Sequence, residues 1–269
     1  MARFTSIDPA ADVYTSFSPY AYVANNPLIY IDPTGAYIEE GSQKEWEKQT
    51  GRVNDRRDKL QSKLDGLSAK AAEKGWSADK LAKRVGNLSG RVESLNSTIE
   101  TFGVLESSSQ GYSLSKVGAE QSATSLNTEN NLIDIAFDGT STFVHEVTHA
   151  GQFESGDLGF DSSTGASLLQ DLSDEVSAYK AQFGYDPSKV ATASGFSDIT
   201  PDFVSNITLS DGSKPYSLGG ATNTGRTPLS INSTNGDLAR SYPNIIQLGL
   251  LKKSTPVTKT LSKLYYKKQ

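Results

Sequence analysis

Between residues 41 and 103 the apolar positions recur with a helical period. Trp46, Val53, Leu60 and Leu67 are seven apart, and Leu81, Val85, Leu88, Val92, Leu95, Ile99 and Phe102 alternate gaps of four and three. That is the spacing of a heptad seam. Between the two runs, Gly75 is suited to end a first helix and Ser77 to cap a second. The pattern predicts an antiparallel helical hairpin, read either as a scaffold packed on the histidine-bearing part of the chain or as a partner-binding or delivery element. After a Ser/Gly-rich connection at 106–111, residues 131–137 alternate apolar and polar side chains as a strand does, and Asp138-Gly139 turns out of it. A helix is predicted from Thr140 to Gly151, with Thr140 or Ser141 as its cap. A second is predicted over 166–183, with Ala166, Leu168, Leu169, Leu172, Val176, Tyr179, Ala181 and Phe183 on its apolar side. From 184 to 235 Ser, Thr, Gly, Asp and Pro dominate, which predicts short helices and irregular loops. Residues 1–35 are rich in turn formers, with Leu28–Ile31 as a short strand between Asn-Pro and Asp-Pro turns.

Composition narrows the chemistry. The 269 residues include no cysteine, which excludes disulfides and thiolate metal sites. The net charge of −5 gives no general pull toward nucleic acid. No apolar run is long enough to span a membrane. The N-terminus lacks the apolar core of a signal peptide, so export implies a dedicated secretion system. The last acidic residue is Asp237, and the tail beyond it is basic. Such a tail reads as a solvated surface or as a contact for an acidic partner.

The chain has two histidines, both in His145-Glu146-Val147-Thr148-His149. Residues i and i+4 share a helix face, so both imidazoles can reach one ion, with Glu146 beside them as a base. A hydrolytic zinc site needs a third protein ligand and an open position for water. Without a third histidine or a cysteine, that ligand must be a carboxylate. Glu175, on the next predicted helix, is the leading candidate. Glu154 and Asp157 are rivals closer in sequence, and Asp174 points about 100° away from Glu175. Tyr179, one turn beyond Glu175, is a candidate to stabilise an oxyanion, with Tyr185, Tyr216 and Arg226 open as alternatives. Asp171 or Asp174 could orient a ligating imidazole.

Two resemblances add to this reading. Arg3-Phe4-Thr5-Ser6-Ile7-Asp8-Pro9, with the stretch from Ser18-Pro19-Tyr20 through Asn25-Asn26-Pro27 to Asp32-Pro33-Thr34-Gly35 after it, resembles the end of an RHS-repeat-associated core. In that family the signature is succeeded by a variable toxin domain. The Tyr-Asp repeat array that precedes it in the family is not among these 269 residues. The His-Glu-x-x-His motif with Glu175-x-x-Ala178-Tyr179 resembles the gluzincin metallopeptidases and the metallopeptidase toxins attached to RHS cores. The resemblance implies His145, His149 and Glu175 as ligands of Zn2+ and Glu146 as general base. It also implies residues 131–137 as the edge strand that aligns an extended substrate. Several gluzincins carry an Asp four residues after the Glu ligand, where this chain has Tyr179.

The expectation is therefore an α+β protein in three parts. Residues 1–38 are an RHS-core remnant, 39–105 a helical hairpin, and 106–269 a zincin-like metallopeptidase domain with a small sheet. The expected function is that of a zinc endopeptidase acting as the toxin of an RHS-type effector, secreted into a target cell. Its expected partners are a target protein as substrate, the RHS shell and a cognate immunity protein. The alternatives are a non-catalytic module stapled by metal and a zinc amidase acting on peptidoglycan.

Overall fold

The computed structural model describes residues 38–118, 120–190, 192–218 and 224–267. The RHS-like signature and the Leu28–Ile31 strand lie outside them. The described chain is mixed α+β. Helix α1 (Gln43–Asp65) and the short α2 (Leu67–Glu73) run antiparallel to α3 (Ala78–Glu106). The hairpin forms where its apolar period places it. Trp46, Val53 and Leu60 on α1, and Val92, Leu95 and Phe102 on α3, are all buried. Gly75 takes a left-handed backbone (φ +59°) between the helices, and Ser77 Oγ accepts from Lys80 N at the start of α3.

The hairpin shares one hydrophobic core with the segment that carries the histidines. Trp46 meets Phe102 and Phe143 edge-on, with ring centroids 5.4 and 5.7 Å apart. Aromatic pairs in this arrangement add to the gain from burial alone. Two hairpin arginines reach the far end of the Glu175 helix. Arg91 Nε donates to Gly184 O at 3.2 Å and Arg56 Nε to Tyr185 O at 2.8 Å. Both satisfy carbonyls at a helix C-terminus, where positive charge is favoured.

Next along the chain comes a mixed three-stranded sheet of order β1-β3-β2. Strand β1 (Tyr112–Lys116) runs parallel to β3 (Ile133–Phe137), and β2 (Ala123–Leu126) runs antiparallel to it. The strand of residues 131–137 is thus the central strand, not the edge expected from the resemblance. Its Ile133, Ile135 and Phe137 are fully buried, as a centre position demands. The edges belong to β1 and β2.

Helix α4 (Thr140–Ser155) runs four residues past its expected end and stops at Gly156. Neither Thr140 nor Ser141 caps it. Thr142 Oγ1 accepts from Gly139 N at 3.1 Å, while Thr140 Oγ1 is drawn to Gln49 on α1 at 2.7 Å. Helix α5 spans Leu172–Tyr185 and starts six residues later than the apolar pattern suggests. Asp171 caps it by accepting from Ser173 N at 2.7 Å. Ahead of that cap, Ser167–Leu168 pair as β5 with β4 (Gly159–Asp161), and Leu169 takes a left-handed backbone (φ +66°). Strand β6 (Leu264–Tyr265) pairs on the other side of β4.

Short helices and loops fill the region after α5, including α6 (Pro201–Ser205) and α7 (Asn235–Ser241). Helix α8 (Val257–Thr260) supplies Val257 to a second core around Leu169, Leu229 and Leu238. That core fixes the entry to α5, because Leu229 N donates to Asp171 Oδ2 at 2.6 Å. The basic tail partly packs back: Lys267 pairs with Glu154 at 3.2 Å.

Gly165 is the tightest point of this half. Its backbone is left-handed (φ +75°), and an added Cβ would lie 2.1 Å from Leu126 O, the carbonyl of the edge strand. Gly165→Ala is expected to destabilise the fold by about 2 kcal/mol or more, measurable by urea titration.

Candidate metal centre

Helix α4 is buried nearly all round. Phe143, Val144, Val147 and Ala150 enter the main core, and His145, His149 and Gln152 form the other face. That second face packs against α5, which presents Glu175 to the histidine pair. His145 Nε2 lies 3.5 Å from Glu175 Oε2, and His149 Nε2 lies 3.7 Å from Glu175 Oε1. All three residues are buried, with relative exposures of 7, 5 and 2% for His145, His149 and Glu175. Donor atoms of a four-coordinate zinc site, each about 2.0–2.1 Å from the ion, sit about 3.4 Å apart. The two separations lie close to that value, the donor atoms of the three residues all lie within 4.8 Å of one another, and this buried group could hold a metal ion.

The hydrogen bonds around the imidazoles fix which nitrogen faces the site. His149 Nδ1 lies 2.8 Å from Gln152 Oε1, and Gln152 Nε2 donates to Asp174 O at 3.1 Å. His145 Nδ1 lies 3.0 Å from Gln182 Oε1, and Gln182 Nε2 donates to Lys189 O at 3.3 Å. A backbone carbonyl can only accept, so each glutamine must turn its amide NH2 toward the carbonyl and its oxygen toward the ring. Each Nδ1 then carries the proton, and each Nε2 offers a lone pair. Glu175 Oε2 is buried and accepts no hydrogen bond. Gln170 Nε2 donates to the other oxygen, Oε1. Lone pairs from three buried groups thus converge, an arrangement that a cation satisfies.

The same crowding governs the proton equilibria without metal. Burial pushes Glu175 upward, but His145 and His149 outweigh it and hold the carboxyl below the ordinary glutamate value. Burial pushes His145 downward, and the neighbouring carboxylates of Glu175 and Glu146 more than reverse this.

Glu146 faces the edge strand rather than the cluster of three. Thr124 Oγ1 on β2 lies 2.8 Å from Glu146 O and 3.0 Å from Glu146 Oε2. Burial raises the Glu146 carboxyl, only partly offset by the charges of His145 and His149. Tyr179 stands edge-on to His145, with ring centroids 4.7 Å apart, and its hydroxyl donates to Tyr216 OH at 3.1 Å. Burial and then the Glu175 charge push both phenols above the ordinary tyrosine value.

The other candidates fall elsewhere. Glu154 lies on the far side of α4, where it accepts from Ser108 at 2.6 Å and from Tyr112 OH. Asp157 accepts from Ser155 Oγ at 2.8 Å. Asp171 and Asp174 spend their side chains on the N-terminus of α5 rather than on an imidazole. The Tyr185 ring packs against the main core. Arg226 Nε is buried without a hydrogen bond.

Sequence reasoning missed Gln152, Gln182, Gln170 and Thr124. Gln152 was legible as the residue three after His149, on the same helix face. Gln182 stands two turns beyond Glu175, and Thr124 carried no local signal. Gln152→Ala is expected to weaken metal binding about 10–100-fold, measured by competition with a chromogenic chelator.

Compared with family models, curated proteins and solved structures, the chain matches none. Among the described residues no helix is long and apolar enough to cross a membrane.

Proposed function

We propose that the protein is a zinc-dependent endopeptidase with a zincin-like site. The observation that carries this reading is the buried convergence of His145 Nε2, His149 Nε2 and Glu175 on one point, with Glu175 Oε2 left without a hydrogen bond. Two imidazoles and a carboxylate form a donor set typical of catalytic zinc. Among the described residues the group has three members, so a four-coordinate ion held by them would keep one position for water. That favours a hydrolytic site over a structural staple, which closes its shell with four protein ligands.

Zinc, when bound, supplies Lewis acidity, which makes water a nucleophile near neutral pH and polarises a carbonyl. The chain's own residues do the rest. Thr124 engages Glu146 Oε2 and steadies the carboxylate, leaving Oε1 to take a proton from water and pass it to the leaving amine. Gln152 and Gln182 keep both imidazoles in the tautomer that can ligate. Beside Glu146, β2 is an edge strand. Leu126 N already donates across that edge to Gly165 O at 3.0 Å, and the stretch Ala123–Ser125 is where an extended peptide can pair by its backbone. An extended, strand-pairing substrate favours a protein target over a peptidoglycan amide. Tyr179 and Tyr216 are the phenols nearest the site.

The RHS-like signature of residues 3–35 supports a toxin role. In this reading the enzyme is delivered into a target cell, with an RHS shell and an immunity protein as partners. The test is to incubate the zinc-loaded protein with a cell extract and map new N-termini by mass spectrometry. New termini that depend on Glu146 support the proposal, and their absence counts against it.

A further inference from the structure

We propose that the tip of the helical hairpin is a docking site for an acidic segment of a partner protein, one that also brings an apolar anchor. The inference stands apart from the metal chemistry. A cavity of about 460 Å³ opens where α1 passes into α2 and faces α3. Leu67, Leu88 and Trp76 give it apolar walls, and Lys63, Lys70 and Arg84 stand around it with no acidic side chain in its lining. None of these three cations forms a salt bridge among the described residues. All three are exposed.

The local charge opposes that of the whole protein. Residues 59–84 carry seven Lys or Arg against three Asp or Glu, on a chain with net charge −5. Unpaired cations around an apolar hollow complement a segment that carries carboxylates beside one large apolar side chain. The cavity has room for such a side chain, being within the size range of ligand pockets.

Trp76 decides between protein and nucleic acid as the occupant. Arg84 lies 4.4 Å and Lys80 5.1 Å from the centre of its ring. The ring thus holds the cations in place by cation–π attraction, and they stand where a base would stack. Leu67 and Leu88 offer no second stacking platform. A carboxylate meeting Arg84 keeps that arrangement, whereas a stacked base would displace it.

The test uses the full chain and a fluorescein-labelled peptide of Glu and Asp residues around one Leu and one Phe, monitored by anisotropy and by Trp76 emission. Oligothymidylate and phosphatidylserine vesicles serve as the competing classes. Expected are saturable peptide binding, a shift in tryptophan emission, and weakening by salt. The triple variant Lys63→Glu, Lys70→Glu, Arg84→Glu is expected to lose about tenfold or more in affinity. Because the three positions are exposed, its thermal midpoint and zinc content should match those of the parent. The proposal is overturned if the peptide does not bind, if the triple variant binds it as well as the parent does, or if oligothymidylate or vesicles bind the tip in its place.

Discussion

Glu146→Gln is expected to lower peptide hydrolysis by about 10³-fold, within the range that a positioned acid–base group contributes. Its zinc content should remain at that of the parent. The physical case rests on what the substitution leaves alone. Glu146 is not among the three converging groups. A glutamine has the same shape and keeps an oxygen to accept the Thr124 hydroxyl, which lies 3.0 Å away. What it loses is the ability to take a proton. Metal analysis and initial rates on the same preparation check both halves. A glutamine variant that hydrolyses at the parental rate removes Glu146 from the mechanism.

Glu175→Ala is expected to weaken zinc binding by more than about 100-fold, because it removes a ligand rather than a supporting neighbour. It should also abolish the effect of zinc on folding. An ion that binds only the folded chain stabilises it by about 4 kcal/mol when its free concentration is about a thousand times its Kd. The parental thermal midpoint should therefore fall on chelation and recover with zinc, while that of the alanine variant stays put. The metal-free variant need not be less stable than the metal-free parent, since the substitution also removes a carboxylate that is 2% exposed. Calorimetry with and without chelator separates these effects.

The parts of the molecule that were legible in the sequence are those governed by local periodicity. The seven-residue spacing of Trp46, Val53 and Leu60 was enough to foresee the hairpin, because burial along one helix stripe depends on that helix alone. The His145–His149 spacing told which face of α4 matters for the same reason. Glu175 could be ranked first because it sits on the neighbouring helix among apolar residues, and the structure brings it to the pair.

Strand order was not legible. Ile133, Ile135 and Phe137 read as a half-buried strand, yet nothing within residues 131–137 says that β1 and β2 flank it on both sides. The start of α5 differs from the apolar pattern because Leu168 and Leu169 fit a helical stripe, while a sheet pairing and a second core claim them instead. Gln152 shares a helix face with His149, but the orientation of both glutamine amides depends on carbonyls of other elements, those of Asp174 and Lys189. Glu154 was a reasonable rival by sequence distance, but it points to Tyr112 and Lys267 on the other side of its helix.

The central claim is that one zinc ion sits between the two imidazoles and Glu175 with a position left open. Anomalous diffraction at the zinc edge, from crystals of the zinc-loaded protein, tests it most directly. The expected result is a single peak within bonding distance of His145 Nε2, His149 Nε2 and a Glu175 oxygen, with no fourth protein ligand. A peak elsewhere, a shell closed by four protein side chains, or no peak at this site would contradict it.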